Sequence, residues 1–174
     1  IAPVLLFAQV SLDLEKSKIK WTGKKITNSS HWGSLSFSEA SLEFDGDDLV
    51  SGKFIVDMNT MSVDDIQGRG KQRLEGHLRN NDFFDVDNHK EAILMFNDRV
   101  SLINGVYEIS GSLTIKGISN PVKFTLVPNG KSYSSSLVFD RTKFDITYSS
   151  GNFFENLGDR LILDDVELEV SLIQ

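Results

Sequence analysis

The feature that most constrains this chain is a period-2 alternation of apolar and polar residues. Its clearest instance lies near the C-terminus, where Val166, Leu168, Val170 and Leu172 alternate with polar or acidic residues. The same alternation recurs at residues 18–22, 34–38, 41–44, 53–58, 107–116, 122–126 and 133–139. Because successive side chains of a strand point to opposite faces, each segment predicts a strand with one buried and one solvated face. Such strands are typical of antiparallel sheets.

Turn sequences separate these segments and predict hairpins. The pairs at residues 104–105 and 129–130 are Asn-Gly, the pair at residues 116–117 is Lys-Gly, and residues 45–48 form an acidic turn around a glycine. These residues tolerate the positive φ that tight turns need. Amphipathic strands joined in this way fit a sandwich or a barrel, and periodicity does not choose between them. A barrel of about eight strands is attractive, because closure removes exposed edges and leaves room for one small ligand.

Two stretches interrupt the alternation. Residues 62–81 are polar, and Leu74 and Leu78 lie four positions apart within them. This spacing predicts a short helix over residues 70–78, weakened by Gly76, which could cap a barrel. Residues 141–160 are rich in Gly, Ser, Asn and aromatic residues and predict a second irregular segment.

Composition excludes several classes of function. A chain of 174 residues fits one domain, and its formal net charge of −7 argues against binding nucleic acid or docking on anionic membranes. The chain has no cysteine, which excludes disulfides, thiolate nucleophiles and zinc–thiolate sites. We therefore expect no nucleic-acid partner. We also expect no integral membrane segment, since the apolar N-terminus is shorter than the roughly 20 residues that span a bilayer.

The N-terminal segment is apolar from Ile1 to Ala8 and is followed by Gln9. It is typical of the end of a secretory signal sequence with a small residue at the cleavage site. We therefore expect residues 1–8 to be a residual signal tail, residues 9–174 to form the domain, and the protein to be periplasmic or secreted. The alternative is a buried first strand.

Candidate catalytic and metal-binding residues are few. His31, His77 and His89 lack the close spacing of metal ligands, and surface or helix-end positions are expected for them. The adjacent acids Asp164 and Asp165 point to opposite faces of a strand and cannot converge. No nucleophile elbow, phosphate-binding loop or zinc-protease motif occurs. We predict no catalytic residue, no metal site and no enzymatic activity.

Phenylalanine dominates the aromatic residues, with 12 Phe against three Tyr and two Trp. On the apolar faces these rings form either an ordinary core or the wall of a tunnel that selects ligands by length and shape. The adjacent pairs Phe83-Phe84 and Phe153-Phe154 lie in irregular segments. In each pair, one ring either faces the mouth of the barrel or anchors its loop.

A set of candidate ligand-binding residues follows from the alternation. Their apolar side chains share the face that we expect to point into the barrel, although a β-bulge would reverse any of them. They are Trp21, Leu35, Phe37, Phe54, Val56, Met58, Leu94, Phe96, Leu113, Phe124 and Phe139.

Four motifs resemble those of the YceI-like lipid-binding family. Residues 74–86 contain His-Leu and Asp-Phe-Phe-Asp-Val, similar to a signature of that family. Residues 111–118 resemble its Gly-x-Leu-Thr-Ile-x-Gly-Val strand and turn, residues 54–58 resemble its middle strand, and residues 139–144 resemble its Arg-x-x-Phe segment. Order and spacing agree over about residues 12–174.

The resemblance implies a lipocalin-like extended antiparallel β-barrel that is exported and binds a polyisoprenoid or isoprenoid-quinone chain, often as a dimer. The leading hypothesis is a carrier, store or sequestering protein for a long-chain isoprenoid or related amphiphilic lipid. This lipid or a quinone-like ligand is the only cofactor-like molecule expected, and a homodimer is a possible assembly. Two alternatives stay open: an enzyme acting on a small hydrophobic substrate in the barrel, and a solid-core interaction protein.

Overall fold

The computed structural model describes residues 6–174. These residues form nine strands, one α-helix and two short 3₁₀ helices. The elements are β1 (Ala8–Ser11), β2 (Lys18–Lys25), β3 (Ser30–Asp45), β4 (Asp48–Val63), α1 (Gly68–Arg79), β5 (Glu91–Phe96), β6 (Tyr107–Ile115), β7 (Ile118–Asn129), β8 (Ser132–Asp140), the 3₁₀ helices Arg141–Phe144 and Gly158–Arg160, and β9 (Ile162–Ile173).

The strands form a closed antiparallel barrel. Their order is β1-β3-β2-β9-β8-β7-β6-β5-β4, and a further pairing of β3 with β4 completes the ring. Eight strands, β2 to β9, make the wall, and β1 adds to β3 beside β2. The prediction of a barrel of about eight strands is confirmed, and the sandwich is excluded.

The N-terminal strand extends the wall along β3. Ala8 is registered with Phe44 and Ser11 with Ser41, so β1 covers the half of β3 that β2 leaves free. Between β1 and β2, the Asp13 N–H donates to the Ile173 carbonyl at 2.7 Å. Strand β1 itself is short and mostly exposed. Residues 1–5 lie outside the described residues, so the predicted signal tail and the domain boundary at residue 9 stay predictions.

The predicted tight turns form, and of the two with positive φ at both central residues one joins strands. Lys116 and Gly117, with φ of 52° and 72°, join β6 to β7. Asn104 and Gly105, with φ of 51° and 77°, instead close a single bridge between Ile103 and Val106 within the β5–β6 connection. Positive φ at both central residues matches the right-handed twist of the β6–β7 hairpin, whose register the turn helps to fix.

Helix α1 covers one end of the barrel and is longer than predicted at both ends. None of its side chains is fully buried, and it is held to β4 by polar contacts. Glu75 accepts a hydrogen bond from the Val63 N–H at 2.9 Å, and the Arg79 guanidinium donates to the Met61 carbonyl. These bonds place the helix as a cap over the barrel end.

One seam of the wall is not closed by strand pairing. Strands β7 and β8 are registered only at residues 125–129 and 132–136. Beyond this point the 3₁₀ helix Arg141–Phe144 lies beside β7, where Asn120 donates a side-chain hydrogen bond to the Lys143 carbonyl at 2.9 Å. Phe144 and Ile146 are fully buried there. The start of the irregular segment predicted over residues 141–160 therefore completes the wall.

Candidate functional site

The barrel encloses a cavity of about 480 Å³. Apolar side chains from all eight strands of the wall line it, which places the cavity along the barrel axis. Its exposed lining residues, Ser29, Tyr148, Arg160 and Leu163, all lie at one end. We call this end the mouth; it is formed by the β2–β3 hairpin, α1 and the segment 145–161. A volume of this size is typical of a small-molecule binding site.

The opposite end, formed by the β3–β4 and β7–β8 turns, is sealed by aromatic rings; we call it the closed end. Phe44 stacks on Tyr133 with centroids 6.3 Å apart and meets Tyr107 edge-on at 6.1 Å. The Tyr107 hydroxyl donates to the Asp47 carbonyl at 2.8 Å, and Gln174 donates to the Tyr133 hydroxyl at 2.9 Å. A molecule in the cavity therefore enters and leaves through the mouth.

Every residue predicted to face the interior borders the cavity. Alternation along β2 to β8 was sufficient to orient these side chains, even though β3 pairs with β4 through three register shifts. Their contact with a ligand stays a prediction. The residues are Trp21, Leu35, Phe37, Phe54, Val56, Met58, Leu94, Phe96, Leu113, Phe124 and Phe139.

His77 lies in the last turn of α1, a helix-end position as expected, and its ring belongs to an aromatic cluster at the mouth. Its ring meets the Tyr148 ring edge-on at 4.6 Å and the Phe83 ring edge-on at 4.9 Å, and these two rings lie 5.3 Å apart. His77 thus joins α1, the turn after it and the segment 145–161. Sequence pattern did not indicate its partners, because the two rings come from loops whose approach has no local signal.

The two phenylalanine pairs differ in burial and in their position relative to the cavity. Phe83 is 6% exposed, and both Phe83 and Phe84 border the cavity. Phe153 and Phe154 are 57% and 50% exposed, and neither borders it. The interpretation that a ring of each pair faces the mouth is therefore right for the first pair and wrong for the second. The second pair does not anchor its loop by burial either.

All charged side chains on the cavity wall are basic. Lys24, Lys25, Arg141 and Arg160 line it near the mouth, together with His31 and His77. Within residues 6–174 no Asp or Glu lines the cavity. Since the chain as a whole has 25 acidic and 18 basic residues, the wall departs from the overall charge of the protein.

Arg141 holds the segment 145–161 to the end of the barrel. Only 2% of it is exposed, and its guanidinium donates to the carbonyls of Leu163, Ile146 and Ile162 at 3.1, 2.9 and 3.0 Å. It also contacts an Asp164 carboxylate oxygen at 3.2 Å. Burial lowers the pKa of Arg141 and the neighbouring carboxylates oppose that shift, so the group remains charged at neutral pH. Arg141 acts as the anchor of the mouth.

The other two histidines have separate partners. His31 contacts the Asp65 carboxylate at 2.8 Å near the mouth, and His89 lies 3.8 Å from the Asp85 carboxylate. In the described part of the chain, no three His, Cys, Asp or Glu side chains converge in a way that could hold a metal ion. From residue 6 onward, no helix is both long and apolar enough to cross a bilayer.

Several cavity residues were missed by sequence reasoning. Leu74 and Leu78 were used to predict α1 but not to line the site, and Tyr148 and Leu157 come from the irregular segment. The alternating apolar residues of β9 also line the cavity, and their pattern could have placed them there. They are Ile162, Val166, Leu168, Val170 and Leu172.

Solved structures with the same fold include three bacterial proteins. BcnA of Burkholderia cenocepacia matches with a TM-score of 0.74 at 21% identity, over 94% of this chain and 99% of BcnA. A polyisoprenoid binding domain from Saccharophagus degradans matches with a TM-score of 0.63 at 14% identity, over 96% and 97%. The YCEI protein of Campylobacter jejuni matches with a TM-score of 0.58 at 15% identity, over 98% and 87%. At these identities the likeness establishes a common fold.

Curated sequence relatives match over a shorter region. A UPF0312 protein of Pectobacterium atrosepticum is 30% identical over 92 residues, which is 53% of this chain and 45% of the relative. A UPF0312 protein of Ectopseudomonas mendocina is 29% identical over 91 residues, or 52% and 46%. The matches thus span about half of this chain and just under half of each relative.

A family model covers nearly the whole chain. The model of the YceI-like domain matches residues 11–173, which includes the eight strands of the barrel wall and the helix over its mouth. This chain belongs to the YceI-like domain family.

Proposed function

We propose that this protein binds a long-chain isoprenoid or a related amphiphilic lipid, as a carrier, store or sequestering protein. The observation that carries the proposal is the apolar cavity along the barrel axis, closed at one end and open at the other. The tail of the lipid occupies the barrel, and its head group, quinone-like or other, lies at the mouth.

The shape and chemistry of the cavity favour an extended apolar tail. Each buried CH₂ contributes about 0.8 kcal/mol, less the cost of ordering the chain. Below the mouth the wall offers mainly rings and aliphatic side chains, such as Phe37, Phe54 and Leu113. A ligand there gains affinity from burial and is selected by length and width.

Two alternatives are less well supported. A solid-core interaction protein would have no room inside, whereas this barrel encloses about 480 Å³. An enzyme would need an acid or base aimed at a substrate in the lumen. His31 and His77 do reach the cavity, but His31 lies at the mouth with 41% of its side chain exposed, and His77 is packed between two aromatic rings. We therefore favour binding without catalysis.

The comparisons support the same proposal. The Saccharophagus degradans structure is described as a polyisoprenoid binding domain, and its fold is shared over 96% of this chain. Export to the periplasm or secretion is part of the proposal, supported by the apolar segment at residues 1–8 and by the family resemblance. A homodimer is also part of it and would appear in the native mass spectrum described next.

Native mass spectrometry of the purified protein, followed by organic extraction, tests the proposal. We expect a co-purifying lipid at near-stoichiometric amount, or uptake of an added long-chain isoprenoid by the empty protein. An empty barrel that takes up no such lipid would overturn the proposed function.

A matched pair of variants locates the lipid. Val166 lines the cavity, whereas Val138 on the neighbouring strand points outward and is 55% exposed. V166W fills part of the cavity, so we expect lipid affinity to fall by about tenfold or more through lost tail burial. V138W makes the same change on the outer face and should bind like the wild type. Equal binding by the two folded variants would place the lipid outside the barrel.

A further inference from the structure

Two of the basic side chains on the cavity wall at the mouth have no ion-pair partner among the described residues. Lys24 pairs with Glu167 at 2.5 Å, Arg141 pairs with Asp164, and His31 pairs with Asp65. For Lys25 and Arg160, no carboxylate of residues 6–174 lies within ion-pair distance. Two cations on the cavity wall are thus left without an anionic partner.

These two side chains are brought together by the sheet. Lys25 ends β2 and is registered with Ile162, the first residue of β9, while Arg160 precedes Ile162 by two positions. The Ile26 N–H donates to the Leu161 carbonyl at 3.1 Å, which ties the two chain ends at the mouth. Lys25 is half-buried and Arg160 is exposed, so both can reach a group at the border between the cavity and water.

The wall leaves open space beneath these cations. Gly23 lies on the cavity wall between Trp21 and Lys25, and a β-carbon added there would meet no atom within 4 Å. A ligand tail in the barrel can therefore continue past Gly23 and present its head group to Lys25 and Arg160.

We propose that the lipid carries an anionic head group, a phosphate or a carboxylate, which Lys25 and Arg160 bind at the mouth. This inference rests on the proposed function and names the chemistry of the head group. A guanidinium binds both anions through paired hydrogen bonds, and an ammonium adds a point charge. A neutral head group such as an alcohol gains neither, so the mouth selects for charge while the barrel selects for tail length.

Three ligands with one tail test the inference on the delipidated full chain: geranylgeranyl phosphate, geranylgeranoic acid and geranylgeraniol. Their affinities are read from the fluorescence of Trp21 and Trp32 or by calorimetry. We expect the wild type to prefer at least one anion over the alcohol by about tenfold or more, the range of a hydrogen bond to a charged group. The anion that binds more tightly identifies phosphate or carboxylate as the natural head group.

A double variant and its control assign the preference to the two side chains. In K25Q/R160Q the ratio of the affinity for the anion to the affinity for the alcohol should fall toward one. The control K123Q/K131Q removes the same charge from exposed positions away from the mouth and should keep the preference. In the wild type, added salt should weaken binding of the anion more than binding of the alcohol. This readout does not depend on any variant.

The outcomes separate the two proposals. Equal affinity of the wild type for all three ligands would overturn the anionic head group and leave lipid binding intact. A preference that survives in K25Q/R160Q would also overturn it. Failure of all three ligands to bind would overturn both proposals.

Discussion

At the closed end of the barrel the β5–β6 connection is tied to the β3–β4 turn by Arg99, whereas at the mouth a helix and a long irregular segment lie over the strand ends. The β3–β4 turn joins Asp45 to Asp48 directly, and Leu42 and Leu49 just inside it have no exposed surface. In the irregular segment at the mouth, Ser149 and Asn156 have φ of 51° and 59°, a left-handed conformation that non-glycine residues rarely adopt.

This difference indicates that the closed end contributes mainly to stability and that the mouth is the end suited to ligand recognition. The interior of the closed end is formed by buried apolar and aromatic side chains, as a stable core requires. The mouth contains the basic residues, the aromatic cluster around His77 and half-exposed rings, which are features of a surface that exchanges a ligand. Variants at the two ends should therefore affect different measurements.

Replacement of Arg141 should have the largest effect, because this residue lies at the mouth but is as buried as a core residue. R141M removes four hydrogen bonds and leaves Asp164, whose side chain is 16% exposed, with its hydrogen bond from Asn152 but without its cationic partner. We expect the free energy of unfolding to fall by about 3–5 kcal/mol in chemical denaturation. K143M, an exposed change on the same 3₁₀ helix, is the control and should change stability by less than about 0.5 kcal/mol. A stable R141M protein would show that the mouth needs no anchor.

Truncation of Leu49 sharpens the comparison at the closed end. Leu49 is fully buried and does not border the cavity. L49A should cost about 2–5 kcal/mol through lost burial and the void that remains. Lipid affinity, measured where the variant is still folded, should match the wild type. An altered affinity would mean that the closed end also determines recognition.

Truncation of His77 is the corresponding change at the mouth. H77A removes two edge-on ring contacts, worth about 1 kcal/mol each. We expect a small loss of stability in thermal unfolding but faster lipid release in stopped-flow exchange, since α1 is then joined less firmly to Tyr148. H77F should restore slow release, and R73A, exposed on the same helix, should not change it. An unchanged rate of lipid release in H77A would show that the attachment of α1 through His77 does not control ligand exchange.

The smallest expected effect concerns the acidic turn at the closed end. A hydrogen bond from Arg99 lowers the pKa of Asp48. A carboxyl whose folded pKa is lowered contributes stability above its unfolded pKa, about 3.9, and loses it as pH falls through the folded value. The stability difference between wild type and R99Q should therefore be larger at about pH 6 than at about pH 2 in denaturant titrations. An equal difference at both pH values would show that Arg99 acts through packing instead.

Much of the barrel interior was predictable from local pattern. The inward face of β6, with Tyr107, Ile109 and Leu113 buried, follows from strict alternation, because adjacent residues of a strand cannot share a face. The turn at Lys116-Gly117 and the position of α1 were likewise local signals, since they depend on the residues within one turn or one helix.

Other features depend on contacts between distant segments. Closure of the barrel requires the pairing of β2 with β9, the first and last strands of the wall, in which Ile19 is registered with Val170. Alternation alone fits a sandwich equally well. The partial separation of β7 from β8 arises because the chain after β8 turns into a 3₁₀ helix that packs beside β7. The exposure of Phe153 and the burial of Phe83 also depend on which element lies above each ring.

The sequence by itself determined most of the strands, their buried faces, the tight turns and the family resemblance, since each depends on residues close together in the chain. Only the tertiary structure decided that the wall closes around a cavity, that His77 lies between Phe83 and Tyr148, and that Lys25 and Arg160 share the mouth. The physical reason is that side-chain direction is set locally by the pleat of a strand. The meeting of two side chains is set by long-range register and by the path of loops, and neither leaves a periodic signal in the sequence.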